Sequence, residues 1–446
     1  MTQRVHTWGR SAPRIGLALG AALLLPNAAG ADNADAGSVE PQPATETPAE
    51  RSFFAQALDN SFYKVHFDMR ARVETADFDE QFEQGTEVGL RTRLGIGTKP
   101  WRGLSIFAEM EANLPVDEDA YWNLVDANPK NKAPIADPAY VQLNRAFARY
   151  QNPELWGADV VGGRQRIILD DARFIGNVGW RQNEQTFDAA RGSTSLGVES
   201  LKLDYAYLWS IKRIFANQGA TAATRDWTSS SHLIHAAFDR FPLATASVFA
   251  YLLDFDQAPA NSTNSYGFRL HGNKKLDGKW LLGYVASFTW QTDAGNSSLD
   301  YAAPYGWLSI SAGHADWATL ELGYEHLGSD SGNAQFRTPL ATAHKFNGFA
   351  DAFLDNGGSD GLQDLMLTLA PKLPWKLGGK LVYHRFWSAQ GGRNAGHELD
   401  FVVKRPIGRF FSVLLKAAFF DGQGSGATTS GRTDRYRLTF DVSFKY

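Results

Sequence analysis

Pairs of arginines at alternate positions are the residues whose type and spacing could carry chemistry in this chain. They are Arg70 and Arg72, Arg91 and Arg93, Arg164 and Arg166, and Arg435 and Arg437. In an extended strand, a spacing of two places both side chains on the same face. A guanidinium group presents a planar fork of donors that binds carboxylates and sulfates bidentately. The pattern therefore favours recognition of anions, and a plainer interpretation stays open, in which these arginines only pair with carboxylates and brace the fold.

One stretch, residues 163–191, concentrates further planar polar groups in a short length of chain. Its sequence is GRQRIILDDARFIGNVGWRQNEQTFDAAR. Arginines, carboxylates and amides alternate there with three large aromatic side chains, Phe174, Trp180 and Phe187. A surface loop does not need such a density of planar polar groups, so this stretch is a candidate functional segment.

Motifs for enzymatic chemistry are incomplete. The run HELDF begins like a zinc-binding HExxH motif, but Phe401 stands where the second histidine is required. The sequence has no G-x-S-x-G nucleophile elbow, and GNKKLDGK at residues 272–279 is one residue too long for a phosphate-binding loop. The chain has no cysteine, which excludes disulfides, thiolate metal sites and cysteine nucleophiles. We expect no enzymatic activity, no catalytic residue, no cofactor and no metal site.

The elements that must position the arginines are strands. From about residue 62 to residue 446 the chain repeats segments of roughly ten residues that alternate apolar and polar side chains. In the last segment, DRYRLTFDVSFKY, one face is wholly apolar and ends on Tyr446, whereas the other carries Arg435, Arg437 and Asp441. The mean hydropathy of −0.31 excludes a helical membrane protein. It is compatible with a membrane barrel, whose alternating strands average to mild polarity.

The connections between these segments are alternately short and long. Short ones lie at residues 99–103, 240–243, 371–376 and 405–409, and long ones near 115–138, 171–185, 212–230, 327–358 and 422–432. Outer-membrane barrels have this asymmetry of short periplasmic turns and long outer loops. Counting the segments predicts an all-β fold, a transmembrane antiparallel up-and-down barrel of about 18 strands, although residues 140–150 and 186–194 alternate weakly. A barrel of that size can enclose an aqueous channel.

Closure of such a barrel pairs the first strand with both the second and the last strand. Six arginines then come together on one wall of the lumen, namely Arg70, Arg72, Arg91, Arg93, Arg435 and Arg437. Luminal carboxylates nearly balance the luminal cations in number. We therefore expect the distribution of charge, rather than its total, to determine what the lumen binds.

The N-terminus predicts export from the cytoplasm. Arg4, Arg10 and Arg14 precede an apolar run at residues 15–25, and small residues follow it, as in a secretory signal peptide at residues 1–31. Residues 32–58 are acidic and contain prolines, which predicts a disordered periplasmic leader. The barrel is expected to occupy residues 59–446. Its last strand ends on an aromatic residue and resembles the signal read by the barrel-assembly machinery, so that machinery and outer-membrane lipid are expected partners, and nucleic acid is not.

The segment at residues 163–191 is where the chain resembles the alginate-export outer-membrane porin family. GRQRI, RFIGNVGWRQNEQTFDA, LVYHRFW and GHELDFVVKRP are similar to recurring blocks of that family, and the resemblance covers most of residues 62–446. It implies an 18-stranded barrel that carries a negatively charged uronate polysaccharide outward through a constriction lined by arginines and a few carboxylates. By match to the motif, the residues implied are Arg164, Arg166, Asp170, Arg173, Arg181, Asn183 and Asp188, with Glu398 and Asp400 as wall carboxylates.

The residues and the resemblance together predict a passive channel of the bacterial outer membrane. Its expected solute is an anionic polysaccharide or a related small anion, attracted by the luminal arginines. One alternative is a general or substrate-preferring diffusion porin for small solutes, in which the arginine wall faces an acidic wall. Another is a structural or adhesive barrel that its own loops plug.

Overall fold

The computed structural model describes residues 62–446 except 80, 127, 129, 220, 222–223, 242–243, 277 and 424–432. The predicted signal peptide at residues 1–31 and the predicted leader at residues 32–58 lie outside the described residues. In the described part of the chain, no helix is long and apolar enough to cross a membrane. Regular structure there consists of strands and of short 3-10 turns, such as Glu118–Ala120 and Ala343–Lys345.

Eighteen strands form one sheet in which every neighbour along the chain is also a neighbour in space. The strands are β1 (Tyr63–Phe78), β2 (Gly85–Thr98), β3 (Leu104–Pro115), β4 (Tyr140–Asn152), β5 (Ala158–Gln165), β6 (Thr186–Thr194), β7 (Leu201–Lys212), β8 (Trp227–Phe241), β9 (Ala244–Leu253), β10 (Thr263–Lys275), β11 (Trp280–Asp293), β12 (Ala302–His314), β13 (Ala318–Leu327), β14 (Leu362–Pro371), β15 (Gly378–Ser388), β16 (Asn394–Ile407), β17 (Phe411–Asp421) and β18 (Arg435–Lys445). β1 pairs antiparallel with both β2 and β18, which closes the sheet into a barrel. The predicted antiparallel barrel of about 18 strands is confirmed.

The two faces of the strands differ as the alternation predicts. On β18, Leu438 and Phe440 are 42% and 46% exposed, whereas Arg437 and Asp441 on the other face are 5% and 4% exposed. Successive side chains of a strand point to opposite faces, so the apolar set points outward and the polar set points into the lumen. The outward set is the surface that contacts lipid in a membrane barrel.

A bulge explains the weak alternation at residues 140–150. The β3–β4 register shifts between Glu109 and Met110, which makes Asn144 the extra residue of β4. The β6–β7 register also shifts, between Asp188 and Ala189, but its extra residue is Trp209 of β7, so this bulge does not explain the weak alternation at residues 186–194. A bulge inserts an extra residue in one strand and reverses the side-chain alternation beyond it. On β4, consecutive residues Asn144 and Arg145 consequently both contact the Glu109 carboxylate.

In the described part of the chain, the long connections leave one end of the barrel. Three that reach the lumen are named here. We call residues 116–139 loop A, residues 166–185 loop B and residues 328–361 loop C. Loop B begins earlier than the predicted residue 171, because the chain leaves the sheet directly after Gln165, and β8 begins at Trp227, before the predicted loop end at residue 230. Much of the predicted loop at residues 422–432 lies outside the described residues. The end with the short turns faces the periplasm in barrels of this kind.

The apolar core of the molecule lies inside the barrel, where loops B and C pack against the inner wall. One buried cluster joins Phe187, Leu208 and Phe249 of the strands to Ile175 of loop B and Leu340 of loop C. If the barrel were an open tube without inward loops, these inward apolar side chains would be exposed to water. Their burial shows that the two loops are part of the folded interior.

Candidate functional site: the lumen and its inward loops

Loops B and C fold into the lumen as one packed pair. Ile175 and Leu340 form a β-bridge, and the backbone N–H of Val178 donates to the Thr342 hydroxyl at 3.1 Å. The Trp180 indole stacks on the His344 imidazole, with 4.5 Å between ring centroids. We call these two loops together the loop pair. Because both loops cross from their own strands to other walls, the loop pair narrows the lumen.

The β18–β1–β2 wall carries the six arginines that the sequence predicts there, with carboxylates between them. Arg70 lies opposite Arg91 in the register of β1 and β2, and Arg72 lies opposite Asp441 in the register of β1 and β18. Arg72 donates two hydrogen bonds to Asp441, at 2.8 and 2.9 Å. The structure thus brings the predicted wall together, whereas a role for it in solute passage stays a prediction.

Glu74 on β1 is the meeting point of the wall and the loop pair. Its carboxylate accepts hydrogen bonds from Arg181 of loop B at 3.0 Å and from Arg437 of β18 at 2.5 Å, and Arg72 lies 3.5 Å away. The second terminal nitrogen of Arg181 donates to Asp351 of loop C at 2.8 Å. One guanidinium group therefore ties loop B to both the wall and loop C.

A buried chain of contacts continues from Asp351 to the β17 wall. The Asp351 carboxylate contacts the His344 Nδ1 atom at 2.7 Å, and the His344 Nε2 atom contacts the Lys416 ammonium at 3.1 Å. That ammonium also lies 3.6 Å from the centroid of the Trp180 ring. Burial and the adjacent Lys416 lower the pKa of His344 to about 4, although Asp351 opposes the shift. The imidazole is therefore neutral at pH 7.

Charged pairs fasten loop B along its length. Within the loop, Arg166 at its start binds Glu184 near its end through hydrogen bonds of 2.8 and 2.6 Å. Arg173 binds Glu325 of β13 at 2.7 and 3.2 Å and also donates to Asn347 of loop C at 3.0 Å. Loop B is thus held at both ends and in its middle.

Aromatic contacts support the same loop on the opposite side. The Phe174 ring lies 5.4 Å from Phe249 of β9, 5.1 Å from Tyr305 of β12 and 5.9 Å from Phe336 of loop C. Edge-on and tilted arrangements at these distances are favourable for aromatic pairs. Loop B consequently spans from the arginine wall to an aromatic wall.

Three other predicted residues lie on walls away from β1. Arg164 and Asp188 form a cross-strand pair on β5 and β6, with hydrogen bonds of 2.7 and 3.1 Å. Asp170 lies 3.1 Å from both the His235 Nε2 atom and the Ser247 hydroxyl, which places it against β8 and β9. The structure therefore does not bring these three together with the β18–β1–β2 wall.

Asn183 and two further arginines of the wall also contact neighbours in the lumen. The Asn183 side-chain oxygen accepts a hydrogen bond of 2.6 Å from Gln142 on β4. Arg435 donates to the backbone carbonyl of Asp351 at 2.8 Å, and Arg93 donates to Glu111 at 3.0 and 2.8 Å. These positions are buried or half-buried.

The predicted wall carboxylates Glu398 and Asp400 hold loop C. Glu398 accepts a hydrogen bond from the backbone N–H of Ala350 at 2.7 Å, and Asp400 accepts one from Phe349 at 3.0 Å. Gly348 lets the loop approach, because a Cβ atom there would lie 2.3 Å from a Glu398 oxygen. These two carboxylates therefore position a loop.

The residues selected from the sequence leave out several partners that make the arginines into a network. The alternation places Glu74 and Glu325 on the luminal face and Glu184 lies in the dense polar segment, but nothing in the sequence shows that these three carboxylates bind arginines of the site. The sequence gives no indication that Asp137 of loop A and Asp351 of loop C enter the lumen, because no periodicity predicts the direction of a loop side chain. The backbone N–H of Gln182 donates to Asp137 at 2.7 Å, so loop A contacts loop B too.

Comparison with known proteins gives one family and several related folds. The sequence model described as alginate export matches residues 63–391. No curated protein sequence matches the chain. Acinetobacter baumannii OccAB4 is similar in structure, with 13% identity and a TM-score of 0.65 over 90% of this chain and 100% of that chain. Pseudomonas aeruginosa OpdQ has 12% identity and a TM-score of 0.64 over 86% and 98%, and OpdK of the same organism, solved with vanillate, has 14% and 0.63 over 86% and 98%.

Proposed function

The chain belongs to the alginate export family, and from this premise we propose that it conducts an anionic polysaccharide or a related anionic solute across the bacterial outer membrane. It is an outer-membrane barrel of the channel-forming kind, with 18 strands. The proposed selectivity comes from arginines on the inner wall and on loop B. No enzymatic step is part of the proposal.

The observation that carries the proposal is the incomplete balance of charge on the β18–β1–β2 wall. Among the residues that the structure describes, the Arg70 guanidinium donates to neutral acceptors, namely the Gln182 side chain and the backbone carbonyls of Gly179 and Arg181. Arg91 and Lys445 both contact the single carboxylate of Asp68. Positive charge that its neighbours do not fully neutralise attracts an anion and lowers the cost of its transfer from water.

The proposed mechanism is exchange of partners along the wall. A carboxylate of the solute replaces an internal carboxylate or carbonyl at one guanidinium group and then moves to the next. Conduction requires binding that is strong enough to admit the solute and weak enough to release it, which several shared contacts provide. The loop pair sets how much of the lumen is open for this passage.

A second candidate is a substrate-preferring diffusion porin for small carboxylates. Two features favour it. The many arginine–carboxylate pairs leave less free charge in the lumen, and the loop pair leaves less room for a polymer. OpdK, a protein of similar fold, was solved with vanillate, which is a small carboxylate. Both candidates require anion preference, and they differ in the size of the solute.

Reversal potentials in planar lipid bilayers test the proposal. We expect anion selectivity in a salt gradient, and we expect Arg70→Gln and Arg91→Gln each to reduce it. Arg102→Gln is the matched control, because Arg102 is an exposed arginine in the periplasmic turn after β2 and should leave selectivity unchanged. Cation preference, or equal effects of all three variants, would overturn the proposal.

Solute size separates the two candidates. Current block by an oligouronate of several sugar units supports passage of a polysaccharide. Swelling of proteoliposomes by small carboxylates, without any block by the oligouronate, supports the diffusion porin.

The proposal retains the predicted targeting of the chain. Residues 1–31 would act as a signal peptide, residues 32–58 as a periplasmic leader, and residues 59–446 as the barrel. The last strand, with Tyr446 at its end, would be recognised by the barrel-assembly machinery. Expression with and without residues 1–31, followed by membrane fractionation, tests the first of these assignments.

A further inference from the structure

A cavity of about 310 Å³ opens at the periplasmic end of the barrel, between the ends of β4, β5, β6 and β7. Gln151, Asp159, Ser193 and Lys202 line it from the strands, and Pro153 and Leu201 add apolar surface. It lies at the opposite end of the lumen from the long loops. None of its lining residues belongs to the network around Glu74.

In the part of the chain that the structure describes, one cation at this cavity has no carboxylate partner. Asp159 is neutralised by Arg149 through hydrogen bonds of 2.8 and 2.5 Å. Arg191, on the neighbouring strand, is neutralised in the same way by Asp204 at 2.9 and 2.5 Å. Among the described residues, Lys202 forms no ion pair, and its side chain is exposed.

The remaining lining groups suit a sugar ring. The Ser193 hydroxyl and the Gln151 amide offer donors and acceptors for sugar hydroxyls. Pro153 and Leu201 offer apolar surface for the C–H groups of the ring. Binding pockets for small molecules combine such apolar surface with a few placed polar groups and have volumes of about 300–1,000 Å³. A cavity at the small end of that range has room for one sugar unit.

We propose that this cavity is a periplasmic loading subsite, in which Lys202 binds the carboxylate of one uronate unit and the neighbouring polar groups bind its hydroxyls. This inference rests on the proposed function, because it assumes that the conducted solute is a carboxylated saccharide. A subsite at the periplasmic end raises the concentration of the solute beside the arginine wall. It favours loading from the side where the short turns lie.

The test uses the full barrel in planar bilayers, with a trigalacturonate probe added to one side at a time. The chain has no native cysteine. A single Ser298→Cys change in the exposed outer turn between β11 and β12, labelled with biotin and bound by streptavidin, therefore reports the orientation of each inserted barrel. Lys202→Gln removes the charge, and Ser193→Trp fills the cavity. Lys404→Gln is the matched control, because Lys404 is an exposed lysine on β16, outside the cavity.

We expect periplasmic addition of the probe to block the current. A single exposed charge-assisted contact contributes modestly, so Lys202→Gln should weaken that block about three- to tenfold. Ser193→Trp should weaken it too, whereas Lys404→Gln and addition from the outer side should show no such change. Maltotriose, which has no carboxylate, should block less than trigalacturonate.

Three outcomes would overturn the inference. They are an unchanged block in Lys202→Gln, an equal loss in Lys404→Gln, and no side-dependent block in the unmodified barrel. If the barrel stays anion-selective in any of these cases, the proposed function survives and only the subsite is refuted. If anion selectivity itself is absent, the proposed function has failed first.

Discussion

Replacing Arg181 by alanine should release the loop pair from the wall. The Arg181 guanidinium is buried, and it contacts Glu74 of β1 at 3.0 Å and Asp351 of loop C at 2.8 Å. Removing one partner of a buried ion pair typically costs about 3–5 kcal/mol. We take about 3 kcal/mol, the lower end, because Glu74 keeps Arg437 and Asp351 keeps His344. Since about 1.4 kcal/mol corresponds to a factor of ten, the released form should become about a hundredfold more populated.

Single-channel recording measures this change directly. The unmodified barrel should show a low conductance with rare larger events, and Arg181→Ala should show those larger events much more often. Hydrogen exchange offers a second measurement. The backbone N–H of Gln182, which donates to Asp137 at 2.7 Å, should exchange faster in the variant, while the strand amides keep their protection.

Arg393→Ala is the matched control for this prediction. Arg393 also pairs with an aspartate of loop C, Asp360, but its side chain is 52% exposed. Exposed pairs contribute about 0–1 kcal/mol, so this variant should leave conductance nearly unchanged. Arg181→Lys keeps the charge with a single donor group and should fall between the unmodified barrel and Arg181→Ala. If Arg181→Ala and Arg393→Ala behave alike, the buried network does not hold the loop pair, and the reasoning is refuted.

Two further outcomes are expected. Because burial and Lys416 lower the pKa of His344 to about 4, the docked loop pair binds fewer protons than the released form, and its stability falls as the pH drops from 6.5 towards that value. Openings should become more frequent over that range, and a His344→Gln variant that keeps the same pH profile would contradict this assignment. Gly348→Ala should lower the melting temperature more than Gly392→Ala, because both have positive φ but only the first would place a Cβ atom 2.3 Å from Glu398. Equal shifts in circular-dichroism melts would show that the close approach of loop C to Glu398 does not matter.

Where the alternation of apolar and polar side chains is unbroken, it predicts which side chains point into the lumen. On β1 and β18 it placed Arg70, Arg72 and Arg437 inward, and the structure agrees. On β4 it could not show that Asn144 and Arg145 both contact Glu109, because the bulge depends on how β4 pairs with β3. Local sequence encodes the direction of a side chain only while the register is regular.

The sequence also anticipated that the segment at residues 163–191 is unusual, but not what it contacts. The dense arginines and amides marked it as more than a surface loop. Its partner Glu74 is 107 residues away along the chain, and its partner Asp351 is 170 residues away. No local pattern connects such positions, because the contact exists only once the barrel has closed and both loops have folded inward.

The sequence by itself determined the barrel, since the repeated two-residue period, the short and long connections and the aromatic last strand depend only on neighbouring residues. It also determined that arginines face the lumen. Only the tertiary structure decided which of these arginines pair with carboxylates, which donate to neutral groups, and which walls the loop pair contacts. The physical reason is that periodicity specifies the face of a side chain, whereas pairing and burial depend on the three-dimensional paths of loops A, B and C.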